Sequence, residues 1–428
     1  MNYNKNEKKL FNNILNYMNK NTIDMPDVVV KGDGIVSLVF ALSLQIALGD
    51  NFTILIIRNK EFSKSNIKRN VRTISISLST VNILRALGLW KTLSSYTQSI
   101  SKIVISSINR DNINGGYLKF NSNISGEAAS YTIEEHIFRD ELLKIIGTRK
   151  NISFINADVG SVLHKRNTIQ MITEDGSIYE TKLLVAADGR KSKMRKLFKI
   201  KDVGWDYNQA SLSAVVEHSK RHDGVAIEKF YSKGPFAILP MKGNRSSIIW
   251  TMPKDEIHAY KDFDDLYLKD KIKDYFGRDR GEILRINNIG IFELYFQISR
   301  KLVGTRFALI GDAAHTVHPL AGQGLNIGLR DAATLAEKIV DAVRYGFDFG
   351  SSSIIEDYEK DRRFDIVSSA LAYDSINKFF TNKDKNLYQF GKIGLSVIEK
   401  MPWIKNIFVH EASGLNSSGS RLTRGKSL

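Results

Sequence analysis

The chain has no cysteine. Disulfides, thiolate nucleophiles and cysteine zinc sites are therefore excluded, and a reducing intracellular compartment suits it. No apolar run is long enough to span a bilayer, and the first residues lack the continuous apolar core of a secretion signal. A soluble or peripheral protein is the expectation. Arginine-rich blocks interleaved with aromatics are also missing. Lys and Arg outnumber Asp and Glu by 62 to 46, for a net charge of +16, yet the lysines are scattered among Asn and Ile and no nucleic-acid partner is expected. An anionic membrane surface or an anionic cofactor fits that surplus better. What is present is a globular apolar share of 43% in 428 residues, enough for a large core and two interleaved domains.

The most informative stretch is Leu309 to Ile339, LIGDAAHTVHPLAGQGLNIGLRDAATLAEKI. Phe307 to Ile310 reads as the end of a buried strand, and Gly311-Asp312 as a tight turn presenting one acidic side chain at the strand's carboxyl end. Ligands bind at that edge of an open α/β sheet, and a carboxylate there suits a hydroxyl-bearing cofactor chain. Pro319, Gly322 and Gly324 allow backbone to approach a flat ligand. From Leu325 a helix begins, and the amides of Gly322, Gln323, Gly324, Leu325 and Asn326 lie at its positive end, where negative charge is favoured.

This segment resembles the flavin-contacting motif of FAD-dependent aromatic-ring monooxygenases of the ubiquinone-biosynthesis hydroxylase type. The resemblance implies an α/β fold in which a Rossmann-like FAD-binding domain interleaves with an antiparallel-sheet substrate domain, followed by a helical C-terminus. It implies FAD as cofactor, and dioxygen, an external electron donor and a polyprenylated phenol as partners. It also implies a cytoplasmic protein, peripheral at the inner membrane surface, beside other ubiquinone-biosynthesis proteins. Pro319 and Leu320 would line the flavin ring. No acid or base is assigned, and no metal is expected. Asp312, His315 and His318 lack an acidic or cysteine partner nearby, and Glu217, His218 and His222 lack His-Glu-x-x-His order and read as solvated side chains at a strand end.

Residues 1–24 place Leu10, Phe11, Ile14, Leu15 and Met18 at helical spacing, so this segment is either a short amphipathic helix or a tail. Strand Asp27 to Lys31, turn Gly32-Asp33-Gly34-Ile35-Val36-Ser37 and helix Leu38 to Leu48 follow in dinucleotide-fold order. Three residues depart from the usual fingerprint. Ser37 stands at the third glycine, Asp33 brings a carboxylate towards a pyrophosphate, and Arg58, after strand Thr53 to Ile57, occupies the place of a ribose-binding acid. An acid restored at Arg58 is therefore expected to tighten FAD.

By the same resemblance Arg72 contacts the cofactor, with Asn70 replacing the family's aspartate, and Arg139 on a helix from Ile137 to Ile146 is a neighbour. Ser101 to Tyr131 alternates around Asn114-Gly115-Gly116 like a hairpin. Lys182 to Ala187 reads as a buried strand ending in Asp188-Gly189, with Ser192 and Arg195 behind it. That spacing resembles the family's second motif, beside the pyrophosphate and ribose. Trp205 to Met252 alternates as an antiparallel sheet, with Gly234-Pro235 and Leu239-Pro240 marking turns. Glu356 to Asp374 is a charged helix, and Leu387 to Phe408 is an apolar, lysine-flanked segment for the core or an interface.

The expected division is an extension over 1–24, an FAD-binding domain from 25–100, 130–200 and 300–345, a substrate domain from 101–129 and 201–299, and a helical region over 346–428. Two other readings stay open. One is a flavin-poor scaffold in a ubiquinone-synthesis assembly; the other is a different member of the flavoprotein superfamily, such as a prenyl-chain reductase or a halogenase, although the halogenase Trp-x-Trp-x-Ile-Pro run is absent.

Overall fold

The computed structural model describes residues 25–59, 72–107, 117–124, 126–258, 260, 265–319, 322–381, 409, 413–415 and 419–428. Asn70, the Asn114 turn, Leu320, the N-terminal segment and Leu387 to Phe408 lie outside them.

A parallel sheet forms the centre because its strands are short apolar runs that can be buried on both faces. β1 (Val28–Lys31), β2 (Ile54–Arg58), β3 (Ile152–Asn156), β4 (Leu183–Ala186) and β5 (Phe307–Leu309) run parallel in the spatial order β3-β2-β1-β4-β5. The short strand Val303–Gly304 closes the edge antiparallel to β5. α1 (Ile35–Leu48) follows β1. Because β2 and β4 flank β1 on opposite sides, the strand order reverses at β1, where an open sheet leaves a crevice beyond its carboxyl ends. The registers pair Lys31 with Ala186 and Ala186 with Leu309, so the three turns that follow these strands emerge side by side. Lys31 itself is 2% exposed, and its ammonium donates to the carbonyls of Arg58 and Ala157 and to Asn59 Oδ1, which compensates its burial.

The second layer is an eight-stranded sheet, in spatial order His315–Thr316, Ile283–Ser299, Asp202–His218, Arg245–Pro253, Gly234–Met241, Val225–Tyr231, Lys102–Ser107 and Tyr117–Asn121. All its pairs are antiparallel except Val225–Tyr231 with Lys102–Ser107. α2 (Gly324–Arg344) packs on α1 and on α3 (Ser352–Thr381).

Several sequence expectations need correction. Leu239-Pro240 marks no turn: Pro240 lies inside the fully buried strand Gly234–Met241, opposite Ser246. Pairing with Val225–Tyr231 ends at Ile227 and Ile238, so the missing N–H of Pro240 falls where no partner strand needs it. Gly234-Pro235 likewise opens that strand. The glycine turn is shorter than expected, since α1 starts at Ile35 and Ser37 is buried within it. His218 is not solvated; it is buried, with ring nitrogens bonded to Lys220 O at 2.7 Å and Ser246 Oγ at 2.9 Å.

Candidate active site

Three chain turns meet at the carboxyl edge of the parallel sheet. The first is Gly32 to Gly34. Gly32 has φ +114, and a Cβ on it would stand 2.2 Å from the carbonyl oxygen of Ala187, so only glycine permits β1 and β4 to end this close together. Gly34 caps α1, and a Cβ on it would meet nothing within 4 Å. The space beside the α1 start is thus open, as access for an anion requires.

Asp33 does not confront that space alone. Arg139 Nη2 donates to its carboxylate at 2.5 Å and Arg139 Nε to its carbonyl at 3.3 Å, while Arg58 Nε lies 3.4 Å from the same carboxylate. Arg58 is 2% exposed, with its guanidinium 4.0 Å over the ring of Phe154. Burial brings its pKa down to about 10, against the pull of Asp33. Two of the three departures from the dinucleotide fingerprint, Asp33 and Arg58, are therefore one structural unit, a carboxylate held between two guanidiniums.

The second turn carries Asp188 and Gly189. Asp188 Oδ2 accepts the N–H of Met194 at 3.2 Å, but Oδ1 is buried without a hydrogen-bond partner among the described residues. Burial raises the pKa of this carboxyl. Gly189 has φ +80 with open space around it. Ser192 Oγ caps the following helix by accepting Arg195 N–H at 2.9 Å, and Arg195 donates to Ala313 O at 2.8 Å, which ties the second turn to the third.

The third turn is Gly311–Ala313, with Gly311 at φ +61 and Asp312 exposed. Its anchor, which the sequence did not reveal, is the buried Asp331 on α2. One oxygen of Asp331 accepts Gly311 N–H at 3.0 Å and His315 Nε2 at 2.6 Å, and the other accepts Arg362 Nε at 2.8 Å. Burial pushes this carboxyl up, but His315 and Arg362 outweigh it and hold the pKa below the usual range. Gly328 is a second unexpected part. A Cβ there would stand 2.9 Å from Gly311 Cα, so glycine lets α2 touch the turn.

Beyond it, Gly322 N–H donates to Pro319 O at 3.0 Å, and Gly322, at φ +64, sits against Ser75. Gln323 is buried, Gly324 rather than Leu325 opens α2, and Leu325 is partly buried. Asn326 turns its side chain inward: Oδ1 accepts Ser77 N–H at 2.9 Å and Thr80 Oγ1 at 2.8 Å, and Nδ2 donates to Ser75 O at 3.0 Å. It fixes the helix start and keeps only its backbone for a ligand. Arg72 is exposed, 5.2 Å over the Phe292 ring, and Glu135, which the sequence did not single out, feels Arg72, Arg139 and Asp312 together.

A pocket opens between the eight-stranded sheet and this third segment, lined by Glu228, Pro235, Ala237, Leu239, Ile249, Thr251, His318, Pro319 and Gly322. His318 is 1% exposed, edge-on to Tyr207 at 5.1 Å, and burial lowers its pKa to about 3 against the weaker pull of Asp374.

Residues 27–370 match the family described as FAD binding domain. The chain belongs to this family. It is an FAD-dependent monooxygenase of the ubiquinone-hydroxylase type. It is 30% identical to ubiquinone hydroxylase UbiL of Rhodospirillum rubrum, over 94% of this chain and 93% of that one. To 3-demethoxyubiquinol 3-hydroxylase of Escherichia coli it is 24% identical, over 91% and 98%. Among solved structures, p-nitrophenol 4-monooxygenase PnpA of Pseudomonas putida superposes with a TM-score of 0.75 at 16% identity, covering 92% of this chain and 99% of that one. Klebsiella pneumoniae HpxO complexed with FAD and uric acid gives 0.72 at 18%, covering 92% and 97%. The monooxygenase's own geometry fits FAD: the space beside Gly34 at the α1 start is open, a buried Asp188 oxygen lacks a hydrogen-bond partner among the described residues, and the Asp312 carboxylate is exposed.

Proposed function

We propose that this monooxygenase hydroxylates a polyprenylated phenol ring in ubiquinone biosynthesis, using dioxygen and an external electron donor. The observation that carries the reading is the apolar pocket against Pro319 and Gly322, where a ring would lie beside the flavin-facing segment. Similarity to hydroxylases over nearly the whole chain supports it. When bound and reduced by the external donor, FAD would supply the two electrons that activate dioxygen, one atom of which enters the ring while the other leaves as water.

The chain's own residues hold the parts. Gly32, Gly34 and the α1 amides take the pyrophosphate, with Arg72 and Arg139 keeping that edge positive. Asp188 and Gly189 flank the pyrophosphate and ribose. Gly311 and Asp312 present a carboxylate to hydroxyls of the ribityl chain, and Pro319 borders the flavin ring. The amides of Gly322, Gln323, Gly324, Leu325 and Asn326, at the positive end of α2, would favour negative charge on the cofactor when it is reduced. The FAD-binding domain is drawn from 25–100, 130–200 and 300–345, the substrate domain from 101–129 and 201–299, and the helix Ser352–Thr381 follows them. A net charge of +16 suits a peripheral position on an anionic membrane, where a prenylated substrate resides.

The test is reconstitution with FAD, reductant, dioxygen and a short-chain prenylphenol, read by mass spectrometry for one added oxygen atom. Yellow protein and that product support the reading. A colourless preparation that FAD cannot restore would favour the scaffold role instead.

A further inference from the structure

The pocket is lined by the imidazole of His318, both of whose buried ring nitrogens lack a hydrogen-bond partner among the described residues, and by the half-buried carboxyl of Glu228, on which burial alone acts. The remaining polar one, Thr251, is already bonded to Ser211 at 2.7 Å. We propose that Glu228 is the anchor for the substrate's ring hydroxyl and that it selects a ring bearing no carboxylate. The proposal rests on the hydroxylase reading above.

The placement follows from the sheet. Glu228 lies on Val225–Tyr231, opposite Ala237 on one neighbouring strand and Ile105 on the other, so its flanks are apolar and its open side is the pocket. A carboxyl placed so must either stay neutral or find a partner. Glu228 keeps part of its surface open, yet the apolar surroundings push its pKa up to about 8, which favours the neutral acid near pH 7. Among the described residues, the titratable group that lines the pocket with it is His318, and behind that ring lies Tyr207, which donates to Asp374 at 2.9 Å. His318 is neutral across the physiological range. A neutral carboxyl both donates and accepts, which matches a phenol hydroxyl, and neutral His318 supplies an acceptor beside it.

A ring carboxylate meets the opposite chemistry. Among the described residues no Lys or Arg lines the pocket to pair with it, and Glu228 would face it as a second acid. Filling the pocket also expels water, which penalises the ionised Glu228 further than one phenol hydrogen bond restores. Ring binding should thus weaken as pH rises through about 8.

The experiment titrates the FAD-loaded enzyme with 2-prenylphenol and with 3-prenyl-4-hydroxybenzoate, following quenching of the bound flavin from about pH 6 to about pH 10.5. Wild type should bind the phenol at least tenfold tighter than the benzoate, with affinity falling above pH 8. Glu228→Gln keeps shape and hydrogen bonding but cannot ionise; it should retain phenol affinity within about threefold and move the fall to about pH 10, where phenol itself ionises. Glu228→Leu, with flavin occupancy confirming the fold, should lose about five- to tenfold. Equal binding of both rings by wild type, or an unmoved pH break in Glu228→Gln, overturns the anchor while leaving the hydroxylase reading intact. If neither ring perturbs the flavin of wild type, the hydroxylase reading fails and the anchor with it.

Discussion

Arg58→Glu tests how the two fingerprint departures work together. Considered alone, an acid at Arg58 should restore a ribose acceptor and tighten FAD. In the folded chain it would face Asp33, whose carboxylate is 3.4 Å from the native guanidinium. Two carboxylates about 4 Å apart repel by about 4 kcal/mol at an effective dielectric of 20. Protonating the new Glu at pH 7 caps that cost at about 3.7 kcal/mol, from a reference pKa of about 4.3. Arg139 still neutralises part of the charge, whereas the stacking of Arg58 on Phe154 is lost. A destabilisation of about 3 kcal/mol is expected, within the range for breaking a buried pair. The assay is a double-mutant cycle of Arg58→Glu and Asp33→Ala, by urea unfolding with FAD titration alongside. Arg58→Glu should bind FAD more weakly than wild type, and in the Asp33→Ala background its stability cost should shrink by about 3 kcal/mol. Additive costs within about 0.5 kcal/mol, or tighter FAD in the Arg58→Glu single mutant, would refute the coupling.

Asp312→Ala should leave the fold intact and lower FAD affinity by about one to two decades, as loss of a charge-assisted bond predicts; unchanged flavin occupancy would remove Asp312 from the site. Asp365 gives a pH test: burial pushes its carboxyl up, yet Arg330 and Arg362 hold it at about 2. Because that pKa is depressed, its stability is present above about pH 4 and lost as pH falls towards 2, so Asp365→Asn should cost about 2 kcal/mol at pH 7 and almost nothing at pH 2, by acid and urea titration. Anionic liposomes should sediment part of the protein at low salt and release it at 0.5 M salt; salt-independent association would contradict an electrostatic contact.

What the sequence made legible was mostly backbone constraint. Gly32, Gly189, Gly311 and Gly322 stand at positive φ, and each is a position where a local signal and a local need coincide. Apolar runs likewise announced the buried parallel strands, because burial on both faces leaves no polar alternation to confuse them. Pairing of charge was illegible for the opposite reason. Asp33 and Arg139 are 106 positions apart, so nothing in the sequence near Asp33 signals that its carboxylate is already neutralised. Asp331 reads as an ordinary charge inside a helix until the fold sets His315, Arg362 and the Gly311 amide around it. Gly328 lies between these cases. It costs helix stability in the middle of α2, about 1 kcal/mol relative to alanine, and a helix signal alone gives no reason to accept that. The reason is the 2.9 Å approach to Gly311, across which a methyl group would push the Asp312 turn off the sheet edge. A glycine misplaced by local rules is thus the mark of a contact made elsewhere, and here the contact is with the turn that carries the acidic side chain of the site.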